Sequence, residues 1–286
     1  MVLIDFNGIA VGSILGQLNH GMALEENLVK HIILNNLRTY RVKYPEKDYG
    51  RMVVCLDKRS WRRDVYKQYK ANRTSGRKTD DRDWTLIFDL INKAQEDIGT
   101  YFPYAVIGVE GAEADDIIGA LTNNALKDIW GEKVVIISAD KDFIQLHSTD
   151  DSVIQYSPMQ QKMVKNENPA RYFFEHLMKG DTGDGVPNVL SPDNALTDKI
   201  RQSPVTKKKL ELWWDNRDNL KDTMEPEVYR NYMRNREMIS LDRTPQHIKD
   251  ESVEKLENYK YPKRTNILNY LIENKMKMLI ECAGEF

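Results

Sequence analysis

The chain has 286 residues, 41% hydrophobic and 30% charged, with a formal net charge of −2. Such a composition excludes a disordered or collagen-like chain and supplies enough apolar residues for one large domain, alone or with a smaller lobe. No apolar run approaches a membrane span, and Cys55 and Cys282 give neither zinc spacing nor a disulfide framework, which fits a reducing cytoplasm.

Residues 2–4 read as a short apolar strand ending at Asp5 rather than as a leader peptide, since Asp5 and Asn7 interrupt the run. A helix follows over 24–43, with Leu28, Ile32, Ile33 and Leu37 on one face. Residues 51–56 form a strand ending at Asp57, 84–98 a helix, and 104–109 a strand. An acidic turn opens a helix over 113–130, and a strand over 133–139 ends at Asp140. A further short strand is available at 153–156, and helices at 173–178 and 225–241 flank a loop punctuated by Gly183, Gly185, Pro187 and Pro192. The alternation predicts an α/β fold with a mostly parallel central sheet flanked by helices, followed by a helical C-terminal lobe.

Three of these strands end in aspartate: Asp5, Asp57 and Asp140. Ligands of open α/β sheets bind at the carboxyl ends of the strands. Glu113, Asp115 and Asp116 stand at a helix start, and Asp181 and Asp184 in the glycine-rich loop. Singly, each suits a turn or a helix cap. Together, many like charges on one sheet edge need a compensating cation. Oxygen ligands without histidine or cysteine indicate Mg²⁺ or Mn²⁺. Two such ions roughly 4 Å apart suit displacement at phosphorus. Asp140 and Asp142, two apart in an extended segment, are expected to face the same side.

The neutral total hides a basic stretch: residues 58–78 hold nine basic residues and one acid, Asp64, whereas 110–116 hold four acids and no base. At helical spacing Arg62, Tyr66, Tyr69, Lys70 and Arg73 share one face, which suits either a solvated surface or nucleic acid, with cations on phosphates and rings on unpaired bases. Residues 74–78 read as a flexible segment that orders on nucleic acid.

In order along the chain stand Asp5, VVCLD (53–57), YKANR (69–73), EADD (113–116), SADKDFIQL (138–146) and KGDTGDGVPNV (179–189). This series resembles the 5′-nuclease (flap endonuclease) family over nearly the whole chain. WRRD (61–64), YSPM (156–159) and the ending Glu285-Phe286 are similar to its phage members with ribonuclease H activity. The resemblance implies a PIN-like fold: an α/β nuclease domain over 1–180 with a basic arch at about 58–82, and a helical DNA-binding lobe over 181–286 with a helix-hairpin-helix-like segment. It implies two Mg²⁺ ions, replaceable by Mn²⁺. Asp57, Asp115, Asp140 and Asp142 would serve the first, Glu113 would support it, and Asp5, Asp181 and Asp184 would serve the second, with Asp116 a further candidate. Lys70, Arg62 and Tyr69 would act at the scissile phosphate, and Arg63, Tyr66, Lys67, Arg73, Arg77 and Lys78 would bind nucleic acid. The implied task is 5′→3′ cleavage of RNA–DNA hybrids and of 5′-ended duplex or flap DNA, removing RNA primers in lagging-strand replication, by a monomer in the host cell cytoplasm. A single-strand-binding protein and a sliding clamp are the implied partners, and no membrane.

Two departures stand out. Gly185 replaces the family's usual asparagine, and SPDNALTDK (191–199) replaces a glycine-rich segment that grips duplex backbone, often with K⁺, so a K⁺ site stays open. The competing readings are a PIN-type ribonuclease, a metal-dependent phosphatase, and a binder of DNA structures that has lost its chemistry. The full carboxylate set speaks against the last, and the basic stretch against the other two.

Overall fold

The structure, a computed structural model, describes residues 1–19, 23–71, 80–126 and 133–286. In chain order the main elements are β1 (Val2–Asp5), α1 (Phe6–Asn19), α2 (Glu26–Lys43), β2 (Met52–Cys55), α3 (Trp84–Tyr101), β3 (Ala105–Ile107), α4 (Ala114–Ala125), β4 (Val134–Ile137), β5 (Val153–Ser157), β6 (Lys162–Val164), α5 (Pro169–Lys179), α6 (Lys207–Asp215), α7 (Pro226–Ile239), α8 (Gln246–Glu257) and α9 (Thr265–Glu273). The strands form one sheet in the order β3-β2-β1-β4-β5-β6. All pairings are parallel except the β5–β6 hairpin.

Strand residues alternate between two cores, as the period of two requires. Val2, Ile4, Met52, Val54, Val135 and Ile137 face α1, α2 and α3. Leu3, Val53, Cys55, Val134 and Ile136 face α4. The C-terminal helices complete both layers: Ile267, Tyr270 and Leu271 of α9 join the first core, and Ile248 and Leu256 of α8 the second. A separate small core gathers Phe174, Met178, Leu210, Trp213 and Leu220 from α5, α6 and the turn after α6, ahead of α8. Helices α8 and α9 thus pack onto the two layers of the sheet domain, while residues 207–224 belong to the separate core.

Three elements depart from expectation. Helix α1 follows β1 directly; its near-uniform apolarity and glycines at 8, 12 and 16 hide any helical period in the sequence. Among the described residues of the basic stretch, Arg62–Val65 is helical and Tyr66 then turns extended, so Arg62, Tyr66, Tyr69 and Lys70 do not share one helical face. Between α5 and α6, residues 193–199 are turns, so the link between these two helices is long and non-helical.

Candidate active site

The parallel register sets three strand ends level. Asp5 pairs with Cys55, two residues before Asp57, and Ile4 pairs with Ile137, three before Asp140. Asp5, Asp57, Glu113, Asp115 and Asp140 line one cleft of ≈ 250 Å³, with Lys70 on its wall. Asp5 shares this cleft with Asp57 and Asp140, whereas Asp181 and Asp184, with which the resemblance grouped it, do not line it. Hydrogen bonds fix the aims of these groups: Ser138 Oγ donates to Asp5 Oδ2 (2.7 Å), and the Ala114 amide at the start of α4 donates to Asp57 Oδ1 (2.8 Å). Gln155 on β5, fully buried, donates to the carbonyls of Ser138 (2.9 Å) and Asp140 (2.6 Å), holding the β4 tip.

Asp140 and Asp142 do not sit in an extended segment. Asp140 caps a 3₁₀ turn, Lys141–Leu146, and its Oδ1 accepts the Asp142 amide (2.9 Å). The turn points Asp142 across to α5, where its Oδ1 lies 2.9 Å from His176 Nε2. Gln145 fastens the turn to α7 by donating to the Ile239 carbonyl (3.2 Å) and accepting from the Leu241 amide (2.9 Å).

The loop after α5 brings the remaining acids. The Asp184 amide donates to Asp181 Oδ1 (3.0 Å). Gly180 has φ +70, and a Cβ there would meet the Val186 carbonyl at 2.4 Å; Gly185 has φ +78, and its Cβ would meet the Gln68 carbonyl at 2.5 Å. At these two positions only glycine is free of strain. The second explains the departure at Gly185: the loop packs directly on the backbone of the basic stretch, where the Lys70 amide donates to the Asp184 carbonyl (2.8 Å). Buried Asn235 holds the other side of the loop through the Leu177 (2.7 Å) and Pro187 (3.0 Å) carbonyls.

Tyr69 and Lys70 link the two groups of acids. Tyr69 Oη donates toward Glu113 Oε2 (2.7 Å) and Asp184 Oδ2 (3.0 Å). Lys70 Nζ lies 2.5 Å from Glu113 Oε1 and 3.4 Å from Asp184 Oδ2.

Arg62 and Tyr66 are placed differently from expectation, and Asp116 is the most buried of the acids. Arg62 is 1% exposed and pairs with Asp116 Oδ2 (2.9 Å), while its Nε donates to the Met238 carbonyl (2.7 Å). It has no open path to a phosphate. Asp116 is fully buried; it also accepts from Thr244 Oγ1 (2.6 Å) and from the Glu113 amide (3.0 Å). These bonds make it the anchor behind the cleft. Tyr66 is buried, with its hydroxyl donating to the Asp193 carbonyl (2.6 Å), so its ring is not open to a base. Arg63 and Lys67 are exposed. Arg73, Arg77, Lys78 and the segment 74–78 lie outside the described residues.

The electrostatics call for a cation. Burial and then the Asp57 charge push Asp5 up to about 6. Asp140 opens onto the cleft, yet the surrounding protein and then Asp142 push it up to about 7. Burial also raises Asp57 and Asp115, and burial together with Asp184 raises Asp181. Glu113 alone goes down: burial opposes its ionisation, but Lys70, Tyr69 and Arg62 outweigh it. Carboxylates crowded without counter-charge are what divalent cations neutralise. Asp142, His176 and Asp181 bring donor atoms within 4.8 Å of one another, as do Glu113, Asp115 and Asp116. The first set includes a histidine, a donor outside the oxygen-only expectation. Its sequence signal was one lone histidine about two turns into a helix, which nothing local distinguishes from a surface residue.

Residues 16–173 match the family described as 5′-3′ exonuclease, N-terminal resolvase-like domain, and residues 166–286 match T4 RNase H, C terminal. The chain is 30% identical to the ribonuclease H of Enterobacteria phage T4, over 99% of this chain and 95% of that protein. It is 28% identical to a 5′-3′ exonuclease of Buchnera aphidicola, over 50% of this chain and 49% of that one. Among solved structures, the phage T5 D15 protein co-crystallised with metal ions superposes with a TM-score of 0.60 at 16% identity, over 91% of this chain and 99% of that one. The T5 D15 flap endonuclease in a pseudo-enzyme-product complex with DNA and metal ions gives 0.61 at 14%, over 90% and 97%. With its sheet, its strand-end acids and both family matches in agreement, the chain belongs to the 5′-3′ exonuclease family, in the branch with a T4 RNase H type C-terminal region.

Proposed function

We propose that the chain is a divalent-metal-dependent 5′→3′ exonuclease and flap endonuclease. It would cleave RNA–DNA hybrids and 5′-ended duplex or flap DNA, and remove RNA primers in lagging-strand replication. The carrying observation is the convergence of Asp5, Asp57, Asp115 and Asp140 on one cleft beside Lys70, with Asp142 and Asp181 adjoining. The donor set suits two ions, Mg²⁺ with Mn²⁺ as substitute, which when bound would polarise the scissile phosphate and activate the attacking water.

The chain's own residues do the rest. Glu113 and Asp184 hold Lys70 at the cleft wall, where its charge meets the negative charge that builds on the phosphate. Tyr69 fixes those two carboxylates from behind. Exposed Arg63 and Lys67 would bind backbone phosphates next to the cleft. A second cavity of ≈ 480 Å³ shares Asp5, Gly8 and Asp140 and offers room for a nucleotide adjoining the cleaved bond. Among the described residues no helix is long and apolar enough to cross a membrane. The place of action would be the host cytoplasm, with a single-strand-binding protein and a sliding clamp as partners.

The test is a panel of 5′-labelled substrates, with Mg²⁺ and with EDTA. Short 5′ products from the hybrid and the flap, absent in EDTA, are expected. Cleavage that persists in EDTA, or a labelled 5′ end that survives while the 3′ end shortens, contradicts the proposal.

A further inference from the structure

We propose that His176 is a direct nitrogen ligand of the divalent ion held by Asp142 and Asp181, and that it tilts this one position toward Mn²⁺-like cations. The inference rests on the metal-dependent nuclease reading and adds to it a ligand and a metal preference.

The geometry carries it. His176 Nε2 lies 2.9 Å from Asp142 Oδ1 and 3.8 Å from Asp181 Oδ2. Its Nε2 is inaccessible to solvent and meets the Asp142 carboxylate off the line of a regular N–H···O hydrogen bond, despite the short distance. Two donor atoms side by side and off the line of a hydrogen bond suit ligands of a shared ion. Adjacent ligands of an octahedral ion at about 2.1 Å stand about 3.0 Å apart, and opposite ones about 4.2 Å. The observed 2.9 Å matches adjacent ligands, and 3.8 Å lies between the adjacent and opposite separations, a gap that a small side-chain shift closes.

The surroundings keep the three donors in place. His176 sits in the last turn of α5, where the backbone carbonyls favour a cation. Tyr172, one turn earlier, stacks on the imidazole with ring centroids 6.2 Å apart and 23° between planes. Gly180 closes the helix, so Asp181 follows at once with its Oδ1 taken by the Asp184 amide and Oδ2 turned to the histidine. Asp142 is held by the 3₁₀ turn that Asp140 caps.

The chemistry gives the preference. Mg²⁺ takes oxygen ligands and gains little from imidazole, whereas Mn²⁺ and the later divalent ions bind it well. A site of two carboxylates and one imidazole therefore separates these ions, while the cleft of Asp5, Asp57, Asp115 and Asp140, with oxygen donors only, does not.

The test uses the full chain loaded with Mn²⁺ and pulsed electron paramagnetic resonance, which reads nitrogen bound to the ion without any turnover. Wild type should show the hyperfine coupling of a ligated imidazole, and His176→Gln should lose it. Calorimetry on the same pair should show Mn²⁺ affinity at one position falling about tenfold or more, with Mg²⁺ affinity moving less than about threefold. A circular dichroism spectrum equal to wild type secures that His176→Gln is folded; His176→Asn serves if it is not. If Mn²⁺ binds and no nitrogen coupling appears, the ligand assignment is overturned and the nuclease reading stands. If the wild type binds no divalent ion at all, both fall.

Discussion

Replacing Arg62 by methionine separates a residue that touches substrate from one that holds the fold. Arg62 Nη1 lies 2.9 Å from Asp116 Oδ2 and 3.5 Å from Glu113 Oε2, and Arg62 and Asp116 are 1% and 0% exposed. Methionine fills much of the volume but leaves the Asp116 carboxylate buried with neutral donors only. Breaking one side of such a pair costs about 3–5 kcal/mol. The lost bond to the Met238 carbonyl adds about 1 kcal/mol. At about 2–3 °C per kcal/mol for a chain of this length, Tm should fall by about 8–18 °C. Scanning calorimetry measures this, and Arg62→Met combined with Asp116→Leu should recover much of the loss, since no charge is then left unpaired. Single-turnover cleavage well below Tm should drop by less than roughly tenfold. A wild-type Tm with cleavage lost by orders of magnitude would refute the buried-anchor account and return Arg62 to the phosphate.

The strand-end acids and the basic stretch give further expectations. Asp142→Asn should abolish metal-dependent cleavage and leave DNA binding largely intact; near wild-type cutting of a 5′-labelled flap by this variant rules out its role. Lys70→Ala should slow single-turnover cleavage more than it weakens binding, because its charge is needed most in the transition state, and an unchanged rate at saturating enzyme speaks against that. Asp140 and Asp5 titrate near 7 and 6 instead of 3.8, so the folded chain keeps protons that the unfolded chain releases above pH 4. Without divalent ions their contribution to stability therefore falls as pH rises from 4 to 7. Divalent ions need those carboxylates ionised, so Mn²⁺ should raise Tm more at pH 8 than at pH 5.5; an equal rise at both contradicts the assignment. DNA affinity should weaken steeply with salt as phosphate contacts release counterions, and filter binding that stays flat between 50 and 200 mM would show that the basic stretch is not the contact.

The strand ends were legible because a parallel sheet writes its edge into the sequence: an apolar run, then an acid, at Asp5, Asp57 and Asp140. What escaped depends on contacts between distant segments. Arg62 and Tyr66 carry the chemistry of a nucleic-acid face, and only their packing against Met238, Asp116 and Asp193 turns them inward. Asp116 looks like its neighbour Asp115 until Thr244 is found on its carboxylate. The 3₁₀ turn after Asp140 was hidden because an Asp-Lys-Asp triplet suits a strand end and a capped turn equally. His176 meets Asp142 only because the loop and α5 fold back over the β4 tip. Helix α1 shows the local limit: a segment apolar on every side offers no period to read.

Anomalous diffraction from crystals soaked in Mn²⁺ tests most directly whether these acids form a metal centre. Two peaks are expected: one in the cleft among Asp5, Asp57, Asp115 and Asp140, and one between Asp142, His176 and Asp181. Peaks confined to other surface carboxylates, with the cleft empty at saturating Mn²⁺, would contradict the metal-dependent account.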